Sequence, residues 1–302
     1  MIPKVGRGMA KTVVLFNPKA AGGKAAENAK NIATFYEAGE IDYVDVLTID
    51  KYNEFFQKLM SDDRIVICGG DGTLNRFVND TKECSYSNPV FYYASGTGND
   101  FLNDINGKRG EAPIEITNYI QHLPIVTVKG KEYRFLNDVG FGIDGYCTWE
   151  GDRQREAGKK KINYTLIALK GMFGKFHPLD ASVTVDGKTE TFHKVWLAPT
   201  MKGRYFGGGM MPTPAQDRND PQETLSCMVF WGKGKLKTVI TFPQIFKGTH
   251  VKYTDMVRVF RGQEFHVKFN RPCALQIDGE TIADVTEYYA RTEAFEKQKK
   301  NV

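Results

Sequence analysis

Residues 65–75 read Ile65-Val66-Ile67-Cys68-Gly69-Gly70-Asp71-Gly72-Thr73-Leu74-Asn75. A short apolar, β-prone run passes directly into glycines around one aspartate, and then into a segment of helical character, Thr73–Asn79. An uninterrupted apolar strand is buried on both faces, which is the situation of a parallel sheet covered by helices. Glycines after such a strand let backbone N–H groups approach an anion, and the N-terminus of the following helix favours negative charge. Asp71 is out of place in a passive anion nest. Its charge suits a site where Mg²⁺ neutralises phosphates, or where a proton is handled. The bland alternative is a strand-to-helix turn that uses Gly-Asp-Gly for its backbone freedom.

The surrounding sequence repeats the pattern. Thr12–Phe16 is a strand followed by Asn17-Pro18 and Gly22-Gly23, with a helix beyond; Ile41–Ile49 reads as a strand, with Thr48 near its end. Val90–Ala94 is another strand, closed by Ser95-Gly96-Thr97-Gly98-Asn99-Asp100-Phe101, where hydroxyl, amide and carboxylate groups open a helix. Strand–helix units of this length imply a parallel sheet, with ligands held at the carboxyl ends of its strands.

After about residue 124 the rhythm changes to short β-like runs: Ile125–Val128, Tyr133–Val139, Ser182–Val185, Thr191–Ala198, Leu225–Trp231, Val257–Phe260, Phe265–Phe269 and Ala274–Ile277. Asp186-Gly187 between two of them signals a hairpin. Helical candidates lie around Asn163–Met172 and Leu236–Phe246. The reading is two domains: an α/β domain with a parallel sheet over residues 1–123, and an all-β, sandwich-like domain over 124–302. The last run, Val285–Arg291, is a candidate to return to the first domain.

Charge divides along the same line. Residues 1–123 carry 13 Lys+Arg against 16 Asp+Glu, a net of −3, whereas 124–302 carry 28 against 20, a net of +8. A basic second half suits an anionic partner. The aromatic–basic interleaving and helix-turn-helix signals of nucleic-acid binders are absent, so no nucleic acid is expected. Arg153, Arg155 and Lys159–Lys161 precede an apolar segment with Leu166, Leu169, Met172, Phe173 and Phe176, a pattern suited to anionic lipid headgroups. No apolar stretch approaches the 18 or so residues of a spanning helix. The five widely spaced cysteines lack metal or disulfide spacing, which fits a reduced, cytoplasmic compartment.

A further constellation is Leu275-Gln276-Ile277-Asp278-Gly279-Glu280, two carboxylates around a glycine. It supplies a general base with a neighbour that tunes it, or else a solvated hairpin turn. Gly-Gly-Asp-Gly-Thr at 69–73, Gly-Thr-Gly-Asn-Asp-Phe at 96–101 and Asp-Gly-Glu at 278–280 together resemble the diacylglycerol kinase catalytic family, which includes bacterial lipid kinases and sphingosine kinases. Phe135-Leu136-Asn137-Asp138-Val139-Gly140-Phe141-Gly142 and Gly207–Gly209 add to the resemblance, which runs from about residue 11 to 290.

The resemblance implies a phosphofructokinase-like nucleotide-binding domain, a C-terminal β-sandwich and a cleft between them. It implies transfer of the γ-phosphate of ATP, with Mg²⁺, to a lipid hydroxyl such as that of diacylglycerol. Carried over by position, the nucleotide site comprises Asn17, Gly23, Thr48, Gly69, Gly70, Asp71, Gly72, Thr73, Asn75, Thr97 and Asn99. Asp278 and Glu280 fall in the proton-acceptor region with Asp71 as a competing base, and Asp100 in the magnesium network. Asp220 stands in the segment of a structural Mg²⁺ site, where Asp217–Ser226 is rearranged and Ser226 replaces the last aspartate. Ala20 and Ala21 replace the Ser-Gly of the first loop, and Pro124 takes the place of a network aspartate. The alternatives are a kinase for a soluble substrate, NAD-kinase-like, and a non-catalytic lipid- or nucleotide-binding member. Peripheral contact with an anionic membrane is the expected partnership; oligomeric state is not legible.

Overall fold

The structure is a computed structural model that describes residues 10–20, 24–36, 40–96, 98–159 and 162–300. The chain divides into two compact units. The first extends to Leu102 and includes Asn106–Gln121; the second comprises Asn103–Ile105 and the chain from His122 onward.

In the first unit, β1 (Thr12–Phe16), β2 (Ile41–Asp45), β3 (Arg64–Gly69) and β4 (Val90–Ala94) form a parallel sheet, with the short β5 (Ile114–Glu115) added antiparallel at one edge. The order is β2-β1-β3-β4-β5. Val13–Leu15 and Ile65–Cys68 are buried, as their unbroken apolar character requires. The helices are short: α1 (Ala25–Lys30), α2 (Tyr52–Phe56), α3 (Asp71–Asp80), α4 (Asp100–Asp104) and α5 (Thr117–Gln121). One face of the sheet packs Val14, Val66 and Cys68 against Ala29 and Ile32. Tyr52, Phe56, Phe77 and Tyr86 form an aromatic cluster, with Phe56 and Tyr86 stacked at 4.2 Å. Strand β2 stops at Asp45, earlier than its sequence suggests. Asp45 Oδ1 accepts from the Leu47 N–H and starts a turn of 3₁₀ helix over Val46–Thr48.

The second unit is a mostly antiparallel sheet of β6 (Ile125–Val128), β7 (Lys131–Arg134), β8 (Asp138–Gly142), β9 (Leu179–Val185), β10 (Lys188–Met201), β11 (Leu225–Trp231), β12 (Val257–Gly262), β13 (Glu264–Ile277) and β14 (Glu280–Arg291). Two long strands make it double-layered. β10 pairs with β9 through its first half and with β8 through its second, and β13 does the same. Phe141, Val183, Val229, Phe265, Phe269, Leu275 and Tyr288 fill the space enclosed. Asp186 and Gly187, at φ 47° and 81°, form the expected hairpin turn.

Three differences from the sequence reading have physical causes. The β-rich unit carries α6 (Ile143–Glu156) beyond the expected helices; with α7 (Tyr164–Lys170) and α8 (Lys235–Thr241), which fall at the two helical candidates, it covers one side around Trp196, Phe230 and Ile245. A last helix, α9, spans Glu293–Lys300. The run Tyr133–Val139 is not one strand: the chain leaves the ladder between β7 and β8. Val285–Arg291 lies in the second sheet, where Tyr289, Ala290 and Arg291 pair with Thr127, Val126 and Ile125.

Candidate active site

In the first unit the chain passes from β1 to β2 on one side and then to β3 on the other, so the sheet has its switch point between β1 and β3. Open α/β sheets bind ligands at the carboxyl ends of the strands there. The turn after β3 lies at that end, and the turn after β4 lies beside it. Gly69 pairs with Ala94, and its carbonyl accepts the N–H groups of Ser95 and Gly96 at 2.8 and 3.3 Å.

The two turns touch through glycine. A Cβ built on Gly96 would lie 2.5 Å from Gly70 Cα, and one on Gly70 would lie 3.2 Å from Gly96 Cα. Gly69 leaves the space that the Thr73 side chain fills. Gly96→Ala therefore forces the turns apart. We expect a loss of about 1–3 kcal/mol of stability, by the usual penalty for overpacking, read as a lower melting temperature. An unchanged melting temperature would contradict the close approach of the two turns.

Asp71 opens α3 and ties this turn to the next. Its Oδ2 accepts the Asp100 N–H at 2.7 Å and its Oδ1 the Phe101 N–H at 3.2 Å, so its carboxylate caps the start of α4. Phe101 is anchored by edge-on contacts with Tyr92 and Tyr119 at 5.9 and 6.1 Å. Gly72, in the first turn of α3, is exposed. Asn99 adopts φ 46° and donates from Nδ2 to the Gly96 carbonyl at 3.0 Å; its Oδ1 is buried and without a partner among the described residues.

These turns gather Gly69, Gly70, Asp71, Gly72, Thr73, Asn99 and Asp100. Other expected contacts are engaged elsewhere. Asn17 Oδ1 accepts the Lys19 N–H within its own turn, and the Thr48 hydroxyl donates to the Asp45 carbonyl. Asn75 is buried on α3, where Asn79 donates to its carbonyl. Gly23 and Thr97 lie outside the described residues.

In the second unit, Asp278 and Gly279 have φ 46° and 90° and form a two-residue turn joining β13 to β14. The turn reading of Asp-Gly is right, but the aspartate is not solvated. Asp278 is buried, and its carboxylate accepts the N–H groups of Leu136, Asn137 and Asp138 at 2.6, 2.7 and 3.0 Å. This is why Tyr133–Val139 breaks as a strand: three successive amides turn to a side chain instead of a neighbouring strand. Glu280, one residue beyond the turn, is exposed and makes no side-chain hydrogen bond or ion pair among the described residues.

The segment 136–138 is also held from behind. Arg218 donates to the Leu136 carbonyl, to Asn137 Oδ1 and to Asp104 Oδ2 at 2.5, 2.9 and 2.7 Å. Asp104 takes a second guanidinium, Arg204, at 2.9 Å. Burial pushes the Asp104 carboxyl up, but the Arg218 charge and the arginine hydrogen bonds outweigh it and hold it below the usual range. Neither arginine is legible as a site residue from its sequence neighbours.

Beneath the turn, Gln276 Oε1 accepts the Gly279 N–H at 2.8 Å while its Nε2 donates to Asp138 and, at 3.4 Å, to Asp144. Asp144 lies on α6, and its Oδ1 is buried without a partner among the described residues. Burial raises its pKa to about 7, against partial relief from the Gly145 N–H and Gln276. The folded state therefore holds this proton more tightly than the unfolded chain does. The contribution of Asp144 to stability is greatest below about pH 4, falls as pH rises to 7, and is flat above, a span on the order of 3–4 kcal/mol. Asp144→Asn removes that slope, so the melting temperature of the variant relative to wild type rises between pH 4 and 7. A pH-independent difference would contradict it.

The Asp220 carboxylate is engaged by groups of its own unit. Its Oδ2 accepts from Thr224 and from Arg261 at 2.8 Å. Burial raises its carboxyl, but the Thr224 and Arg261 hydrogen bonds win and carry it well below the ordinary range. The guanidinium supplies the charge a cation would bring. Among the described residues no group of three or more His, Cys, Asp or Glu side chains could hold a metal ion.

Paired glycine turns on a parallel sheet, followed by a β-rich unit with an Asp-Gly-Glu turn, define the two-domain class of diacylglycerol kinase-like proteins. Residues 11–128 match the diacylglycerol kinase catalytic domain, and residues 137–292 match the YegS C-terminal NAD kinase beta sandwich-like domain. The chain belongs to this family. It is 23% identical over 271 residues to "Diacylglycerol kinase" of Mycobacterium tuberculosis, covering 85% of each chain. It is 24% identical over 235 residues to "Putative lipid kinase YtlR" of Bacillus subtilis, covering 72% of this chain and 74% of that one. In fold it is similar to the crystal structure of "a putative diacylglycerol kinase" from Bacillus anthracis, with a TM-score of 0.66, 18% identity, and coverage of 97% of this chain and 95% of that chain.

Proposed function

We propose that the protein transfers the γ-phosphate of ATP to the hydroxyl of a lipid such as diacylglycerol. Family membership supports a kinase of this class. The observation that carries the reading is the contact of Gly70 with Gly96, which puts two glycine turns and the start of α3 together at the carboxyl end of one sheet. Exposed N–H groups at such a place suit phosphates, and the orphaned Asn99 Oδ1 suits a hydroxyl or water donor. Asp71 keeps the turns in register through its cap on α4.

Mg²⁺ of a kinase site is held largely by water and substrate phosphates rather than by an all-protein cage. When bound with the nucleotide it would neutralise phosphate charge, with Asp71 and Asp100 as the nearest carboxylates in sequence to the turns. Phosphoryl transfer asks the protein mainly for positioning and charge stabilisation. Asp278, with its oxygens on three backbone amides, serves as a positioning residue for the turn. Glu280, exposed on the next residue, is the better proton acceptor.

The test is transfer from γ-labelled ATP to a panel of long-chain lipid alcohols and soluble alcohols. Label in a lipid product supports the reading. Label only in a soluble product assigns a different substrate class, and retained ATP binding without transfer assigns a non-catalytic role.

A further inference from the structure

We propose, on the kinase reading above, that Arg109 is a charge contact for the phosphates of the bound nucleotide, carried to the glycine turns by the loop that follows α4. Arg109 stands ten residues beyond Asn99, outside both glycine-rich stretches, and only the folded loop brings it back.

The loop is built to return. α4 has five residues, about 7.5 Å of helix. It ends in a reversal: the Gly107 N–H donates to the Leu102 carbonyl at 2.9 Å, and Asn106 takes the left-handed conformation at φ 59°. This is the bond that closes many helices through a residue at positive φ. A Cβ on Gly107 would lie 2.4 Å from Leu102 Cδ1, so the returning chain packs directly on the buried Leu102. With so short a helix, the chain reaches back to the end where α4 began. There Arg109 Nη2 donates to the Ser95 carbonyl at 3.4 Å.

Ser95 is a fixed point shared by both turns. It is buried, its N–H donates to the Gly69 carbonyl at 2.8 Å, and its hydroxyl accepts from Cys68 Sγ at 3.8 Å. Gly96, the next residue, is the one that meets Gly70. The guanidinium therefore stands at the junction of the two turns.

The charge around the turns explains what a cation does there. Asp71 and Asp100 place two carboxylates together, within a half of the chain whose net charge is −3. A polyphosphate brought to them meets repulsion unless cations answer it. Arg76, on α3, is committed to Asp80 at 3.2 Å, and Lys108 to Glu111 at 3.7 Å. Arg109 is exposed, makes no ion pair among the described residues, and bonds only Ser95 among them. A guanidinium has five N–H donors in a planar fork that fits phosphate oxygens two at a time. An arginine kept for structure is buried on a carboxylate, as Arg218 is on Asp104 at 2.7 Å.

The test is the ATP affinity of the full chain with Mg²⁺ present, by titration calorimetry, for wild type and three variants. Arg109→Ala and Arg109→Gln should each weaken ATP binding at least tenfold, about 1.4 kcal/mol. Arg109→Lys keeps the charge without the fork and should lose less than either. Glutamine keeps an N–H for the Ser95 carbonyl without charge, so it separates a phosphate contact from a strut for the turn. The side chain is exposed, so melting temperatures should match wild type.

Wild-type affinity in Arg109→Ala overturns the assignment. So does rescue by glutamine but not by lysine, or a loss matched by a fall in melting temperature, since either makes Arg109 a strut. Wild type that binds no ATP fails the kinase reading, and this contact with it. Wild type that binds ATP beside an indifferent Arg109→Ala fails this contact alone.

Discussion

Replacing Asp278 with alanine is expected to destabilise the protein by about 3–5 kcal/mol, the scale for leaving buried hydrogen-bonding partners of a charge unmet. Three amide groups, those of Leu136, Asn137 and Asp138, lose their acceptor together. Arg218 then holds the far side of a segment whose near side has no partner, and the turn carrying Glu280 loses its anchor. The melting temperature should fall on the order of 10 °C for a unit of this size. Asp278→Asn keeps an acceptor oxygen and should lose less. Phosphate transfer should fall in both variants, in the order of their destabilisation. A fully stable Asp278→Ala without activity would return Asp278 to the role of proton acceptor.

Glu280→Gln should show the opposite pattern. The side chain is exposed and makes no side-chain hydrogen bond or ion pair among the described residues, so stability should stay within about 0.5 kcal/mol of wild type. Turnover should fall by roughly 10²–10⁴-fold, the usual contribution of a positioned general base. Because the substitution preserves shape, KM for both substrates should change little while kcat carries the loss. Near-normal kcat in Glu280→Gln would remove it from the mechanism. Together the two variants separate a residue that holds the turn from one that acts on it, a distinction the bare Asp-Gly-Glu sequence does not make.

What the sequence discloses and hides follows from the range of the interactions involved. The strands β1 and β4, the Asp186-Gly187 hairpin and the glycine turns are local patterns of apolar runs and turn residues, and the structure places them where those patterns do. The long helix α6 is not visible, because Gly145 and Gly151 depress helical character. Those glycines are there for tertiary reasons: a side chain at 145 would strike the Ala274 carbonyl, and one at 151 the Tyr164 ring. The break in Tyr133–Val139 is hidden because its cause, Asp278, lies some 140 residues away. The same holds for the pairing of Asp220 with Arg261, 41 residues further along the chain. Likewise, nothing near Asp104 announces that Arg204 and Arg218 converge on it. Turns are legible where one loop makes them, and a polar contact is hidden where a distant side chain completes it.

The most direct measurement is a single-turnover transfer from γ-labelled ATP to diacylglycerol, with the lipid product extracted and counted, by wild type and Glu280→Gln side by side. The account predicts label in the lipid phase with wild type and its near-complete loss in the variant, while ATP affinity and melting temperature are unchanged. Absence of label in any lipid alcohol with wild type that binds ATP, or equal label from both proteins, would contradict it.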